Sequence, residues 1–248
     1  NLGLLYFDKG NLENSYLNLS LALKKRKNYL KARNKIIELL TFYNPPNAGK
    51  DELSKINDNI KRIESNINFS KKINDEDILT FFNNFKNEVK KNLTDLNYHR
   101  YQIFKRKSKF LNCERHKTIF SKYNTIPKFC FGCFKVVIKV KNNIDLIKLS
   151  LIFEYEDFFF NYNRKTLVDT RFNNTLYKGI IYCSSIQETY EASNIAKEIM
   201  SKLIGKEFEI EDKRGCTEFS LSYPKFEKIS KNKNDLMQHP NKWVKNEK

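Results

Sequence analysis

Glycine and proline are scarce, at 7 and 5 of 248 residues. The scattered glycines form no G-x-G-x-x-G and no G-K-[ST], so the common phosphate-cradling loops are absent. There is likewise no G-x-S-x-G nucleophile elbow and no H-E-x-x-H metal helix. Three histidines (His99, His116, His239) leave little room for a conventional acid–base site. Long apolar runs are missing too. The longest, "IDLIKLSLIF" (144–153), is broken by Asp145 and Lys148 and is too short to span a bilayer, which argues against a membrane partner. Five cysteines, an odd number without a disulfide-dense pattern, fit a reducing compartment such as the cytoplasm.

What the chain does have is charge and aromatic bulk. Charged residues make up 30%, with a formal net charge of +17, and 14% are aromatic. A content of 40% hydrophobic residues is enough for packed cores rather than disorder. The basic excess is compatible with a polyanionic partner such as nucleic acid. The same abundance of Lys, Asn and Ile also follows from AT-rich coding, with no functional meaning.

Periodicity divides the chain near residue 112: helical before it, mixed after about 130. We therefore expect an α+β protein with a helical region (1–112), an α/β domain (113–224) and a polar tail (225–248), in which Trp243 either docks or frays. Pro45-Pro46 ends one helix, and Asp51 and Asp75 open two more. In the second of these, Leu79, Phe82, Phe85 and Val89 recur at helical spacing as one apolar face. "YHRYQIFKRKSKF" (98–110) reads as a basic helix, with Tyr101, Phe104 and Phe110 inward and Lys105, Arg106 and Lys107 outward.

Residues 1–24 resemble one tetratricopeptide repeat through Leu2-Gly3, Tyr6, Gly10, Leu19 and Ala22, with Ser15 where that family usually has Ala. Small residues at 3, 15 and 22 allow two helices to approach closely, while Tyr6 and Leu19 fill between them. The proline that usually follows the second helix is missing. The resemblance implies a helical-repeat scaffold that binds a protein segment. Repeats normally stack in threes or more, and the first residues read as mid-helix. The expectation is therefore a piece of a longer protein carrying the last repeat of an array.

The second half reads strand (134–141), helix (144–155, capped by Asn142 or Asn143), strand (164–171), strand (177–185), helix from Ile186, and strand (206–212). Ser185 and Glu188 form a capping box, and Gly205 closes that helix. This β-α-β-β-α-β order is the ferredoxin-like arrangement, for which right-handed crossovers give the sheet order 4-1-3-2. RNA-recognition modules share it, and Lys178, Gly179 and Tyr182 weakly resemble their central-strand signature.

The strand order makes a statement about cysteines. Cys130 and Cys133 precede the first strand, Cys183 ends the third and Cys216 follows the fourth, so all four are expected at one sheet edge. Four thiolates suit zinc or an iron–sulfur cluster. Cys113 and His116 are rival ligands, because C-x2-H-x13-C-x2-C also has zinc-site spacing. A redox role for the Cys-x-x-Cys pair is the weaker alternative, since it precedes a strand rather than opening a helix. Arg214 is expected on the same edge, whereas Arg164 and Arg171 bracket the second strand and cannot share a small ligand. Residues 113–224 are also similar to a cysteine-containing domain found after tetratricopeptide repeats in uncharacterised bacterial proteins, which implies an arrangement but no activity.

No catalytic motif emerges. The function expected is a non-catalytic protein-interaction scaffold with a metal-stabilised domain. An RNA-binding module using Lys105, Arg106, Lys107, Lys178 and Tyr182 is the second possibility, and a metal- or thiol-dependent enzyme is the third.

Overall fold

The computed structural model describes residues 2–41, 43–46, 52–92, 102–105, 113–170, 176–230 and 232–247. The chain is α+β, with N-terminal helices followed by a five-stranded antiparallel sheet and its covering helices.

Helices α1 (Leu2–Asp8) and α2 (Leu12–Lys25) fold back on each other across Gly10, whose φ of 75° suits a residue without a side chain. Asn11 caps α2 by accepting from the Asn14 N–H at 3.1 Å. The close approach centres on Gly3, where a Cβ would stand only 2.7 Å from Leu19 Cγ. Ser15 Oγ donates to the Gly3 carbonyl at 2.8 Å, so the small hydroxyl fills a tight gap and is itself satisfied. Helix α3 (Leu30–Leu40) completes a core of Phe7, Tyr16, Leu19, Ala32, Ile36 and Leu39, which Leu53 joins from α4 (Glu52–Glu64).

Helix α5 (Asp75–Asn92) begins where acidic residues favour a helix N-terminus. Its buried residues are Ile78 and Phe81, while Leu79 and Phe82 are exposed. The first two positions of the expected stripe are displaced by one, Ile78 and Phe81 turning toward the sheet domain's core, whereas Phe85 packs against that core as expected. The core does not follow the boundary expected at residue 112: Ile67, Ile73, Ile78 and Phe81 share one cluster with the sheet and its helices.

The sheet order is β1-β3-β4-β2-β5, formed by β1 (Gln102–Lys105), β2 (Phe134–Val140), β3 (Asn163–Asp169), β4 (Leu176–Cys183) and β5 (Phe208–Arg214). Strand β1 corrects the reading of 98–110 as a helix. Gln102 pairs with Leu167 and Lys105 with Arg164, so the backbone of this short segment satisfies the otherwise open edge of β3. Tyr101, Arg106, Lys107 and Phe110 lie outside the described residues.

Helices α7 (Asn143–Tyr155) and α9 (Ile186–Leu203) cover one face, packing on Phe134, Val136, Ile138, Val140, Ile181 and Cys183. Asn142 caps α7, accepting from the Asp145 N–H at 2.9 Å. At α9 the Ser185 hydroxyl accepts from the Glu188 N–H at 3.1 Å, and the Glu188 carboxylate accepts from Ser184 rather than Ser185. Gly179 faces α7, where a Cβ would meet Leu149 Cδ2 at 2.6 Å. Between α7 and β3 lies a single helical turn, α8 (Asp157–Phe160).

A third cluster, of Ile126, Cys130, Phe219, Phe226 and Trp243, lies beyond the sheet end. It joins α6 (Cys113–Tyr123), the 3₁₀ turn Lys128–Gly132, α10 (Thr217–Ser222) and the tail, which ends in α11 (Val244–Glu247). Trp243 therefore docks.

Candidate functional site

Alternation along β2 puts Phe134, Val136, Ile138 and Val140 under the helices and turns Lys135, Val137 and Lys139 to the opposite face. In register beside them on that face stand Tyr182 and Ile180 of β4 and Lys213, Glu211 and Glu209 of β5. Most of its lysines are neutralised: Lys178 by Asp169 at 2.9 Å, Lys213 by Glu211 and Glu227 at 3.1 and 3.2 Å, and Lys139 by Glu209 and Glu211.

Two lysines differ. Lys135 is buried and its Nζ donates to Thr217 Oγ1 at 3.2 Å. Lys165 donates to Gln102 Oε1 at 3.1 Å, with Nζ 5.0 Å and 5.8 Å from the ring centres of Phe104 and Tyr182. Burial holds the Lys165 ammonium down at about 8 and also lowers Lys135. The signal for both was in the sequence, as a lysine set within each of the β-rich runs "FKVVIKV" and "NRKTLVD".

The expected nucleic-acid residues divide as follows. Lys105 is ion-paired with Glu154 at 2.6 Å, on the helix-covered side. Lys178 is the partner of Asp169, and Tyr182 has its phenol pushed up by burial and by nearby charge on Cys216, Cys133 and Cys113. Arg106 and Lys107 lie outside the described residues.

The cysteines separate. None of the five is joined in a disulfide. Cys183 sits in the main core under α9, its thiol pushed up to about 12 by burial. Cys130 is buried in the third cluster beside Ile126, Phe219, Phe226 and Trp243. Cys133 and Cys216 come together: the β2–β5 register ends at Phe134 opposite Arg214, and the Gly215 N–H then donates to the Cys133 carbonyl at 2.7 Å. Burial pushes the Cys133 thiol up to about 11, with charge on Cys216 and Cys113 adding to it. Cys113 opens α6 and is exposed, while the His116 ring lies 5.4 Å from that of Phe129. Among the described residues, no group of three or more His, Cys, Asp or Glu side chains is placed to hold a metal ion.

The arginines have structural partners. Arg214 donates to the carbonyls of Phe131 at 3.1 Å and Met237 at 2.8 Å, with its guanidinium over three phenylalanine rings. Arg164 donates to the Phe153 and Tyr162 carbonyls. Arg171 lies outside the described residues.

The second feature is a groove between α1, α2 and α3. Leu2, Gly3, Leu4, Leu19, Ala22 and Ala32 line a space of about 110 Å³, and Asn18, Tyr29 and Lys31 add polar atoms. Lys31 lines it and is exposed, as are Lys24, Lys25, Arg26 and Lys27 shortly after Ala22 in the chain, and Leu2, Leu5, Leu17, Leu21 and Leu30 are exposed apolar side chains on the same three helices. Such a surface can bury an apolar side chain and attract carboxylates.

Among the described residues, no helix is long and apolar enough to cross a membrane. Compared with known proteins, the chain matches no family model, no curated protein and no solved structure.

Proposed function

We propose that this chain is a non-catalytic interaction scaffold. In this reading its tetratricopeptide-like helices hold a protein segment, and β2 to β5 with α7 and α9 form a ferredoxin-like platform carrying them. The observation that supports it most is the groove lined by Leu2, Leu19, Ala22 and Ala32 beside a cluster of exposed cations. An apolar floor under a basic rim suits a segment with one aliphatic or aromatic side chain between acidic residues. Removal of that side chain from water supplies affinity, and the charges supply orientation and on-rate.

A displayed random-peptide library, selected on the wild-type chain, tests this. We expect enrichment of acidic sequences with a central apolar residue, and loss of their binding in Ala22→Trp, which fills the groove. No enrichment, or enriched peptides that bind the filled variant equally well, would remove the reading.

A further inference from the structure

We propose that Cys133 and Cys216 form a reversible dithiol–disulfide site oxidised by hydroperoxides, in place of the Cys130–Cys133 pair suggested by the Cys-x-x-Cys spacing. The backbone geometry brings the two together. Strand β5 runs antiparallel to β2 as far as Arg214 opposite Phe134, and the Gly215–Cys133 hydrogen bond extends this pairing by one residue. Gly215, at φ 59°, then turns the chain in the left-handed region into α10, whose N-cap is Cys216. Directly paired antiparallel residues have Cα atoms about 4.5–5.5 Å apart, and Cys216, with its Cα about 3.8 Å from that of Gly215, follows the partner of Cys133 by one residue.

The surroundings grade the thiols. Phe120 of α6 packs on Phe219 of α10 at 4.7 Å between ring centres, and His116 lies beside Phe129, so α6 roofs this corner and leaves Cys113 at its solvent edge. The Lys135 ammonium, held on the Thr217 hydroxyl, is a cation next to the Cys216 backbone. Burial and the charges of Glu218 and Cys113 raise the Cys216 thiol, and Lys135 and Lys117 oppose that rise. Burial, with charge on Cys216 and Cys113, pushes the Cys133 thiol up to about 11. The placement of the Lys135 ammonium on Thr217, the residue after Cys216, makes Cys216 the attacking sulfur and Cys133 the resolving one.

The Cys216 thiolate attacks one peroxide oxygen. An S–O bond forms, the O–O bond breaks, and the leaving oxygen takes a proton to become water or an alcohol. Cys133 sulfur then attacks the sulfenic sulfur. The S–S bond forms, the S–O bond breaks, and hydroxide leaves with the Cys133 proton as water. Two electrons pass from the two thiols to one hydroperoxide, and an external dithiol reverses the step.

The test uses the whole chain with one equivalent of hydrogen peroxide, alkylation of the remaining thiols, and tryptic peptide mapping. Cys130 and Cys133 share the peptide 129–135, and Cys216 lies in 215–225. We expect 129–135 joined to 215–225, with Cys130 alkylated, and separation of the two by dithiothreitol. The same cross-link should form in Cys130→Ser and Cys113→Ser. A loop within 129–135, a cross-link that Cys130→Ser abolishes while its circular dichroism stays native, or oxidation confined to Cys113 would each overturn the proposal.

Discussion

Lys148 of α7, 2% exposed, forms an ion pair with Asp75, the first residue of α5, and stands 3.4 Å from Asp145 on its own helix. This one buried ammonium joins the N-terminal helices to the layer that covers the sheet. Its two partners are unequal, because Asp145 is nearly buried whereas the Asp75 side chain is 62% exposed. Lys148→Ala strands Asp145 without its cation and should cost about 3–5 kcal/mol in urea unfolding. Asp75→Asn should cost less than about 1 kcal/mol, as water screens that partner. Equal losses would show that the exposed pair, not the buried one, is the clasp.

Three glycines make a graded series. A Cβ at Gly215 would stand 2.3 Å from the Phe226 ring, in a residue with φ 59°. At Gly179 it would meet Leu149 at 2.6 Å in ordinary strand backbone, and at Gly10, φ 75°, it would meet nothing within 4 Å. Gly10→Ala should therefore cost only the backbone penalty of about 1–2 kcal/mol. Gly179→Ala should cost about 1–3 kcal/mol from overpacking, and Gly215→Ala the most, since both penalties apply there. Thermal unfolding of the three variants gives the order directly.

At the start of α9, Ser185 Oγ accepts from the Glu188 N–H, an otherwise unpaired donor. Ser185→Ala should lower stability by about 1 kcal/mol, and Ser185→Asp, which keeps an acceptor, should restore most of it. A silent Ser185→Ala would mean that the Ser184–Glu188 contacts hold the helix start alone.

The alkaline limb of stability carries opposite contributions, from the buried lysines Lys165 and Lys135 and from the buried thiols Cys133 and Cys183. Burial lowers Lys165 from 10.5 to about 8, so between those values the unfolded chain binds more protons and stability rises with pH. Cys133 is raised from 9.0 to about 11, so above pH 9 the folded chain binds more protons and stability falls. Unfolding free energy should therefore climb from pH 8 to 9 and level or decline beyond. Lys165→Met should reduce the climb to the part that Lys135 contributes and leave the later decline. A flat profile from pH 8 to 9 in the wild type would contradict the assignment to Lys165.

Much of the second half is legible residue by residue. The alternation in "FKVVIKV" reflects a strand buried on both faces, and Asn142, Ser185 and Gly205 mark helix ends with side chains and backbone suited to the task. Gly3, Ser15 and Leu19 likewise announced a close helix pair before any contact was visible. Local chemistry decides these features, so a local reading recovers them.

Other features depend on partners far along the chain. "QIFK" becomes β1 because the edge of β3 is there to be paired, some 60 residues later, and nothing local favours it over one more basic helical turn. Ile78 and Phe81, rather than Leu79 and Phe82, are buried because the helix is rotated against a core assembled from distant segments.

The cysteines divide along the same line. Their spacing by itself determined that Cys133 stands at the entry of the central strand and Cys216 just past the last one. Only the tertiary structure decided that Cys130 and Cys183 enter separate clusters while Cys133 bonds Gly215, the residue before Cys216. A two-residue periodicity assigns each side chain to a face. Which thiols then meet depends on the register between strands some 75 residues apart and on the left-handed turn at Gly215.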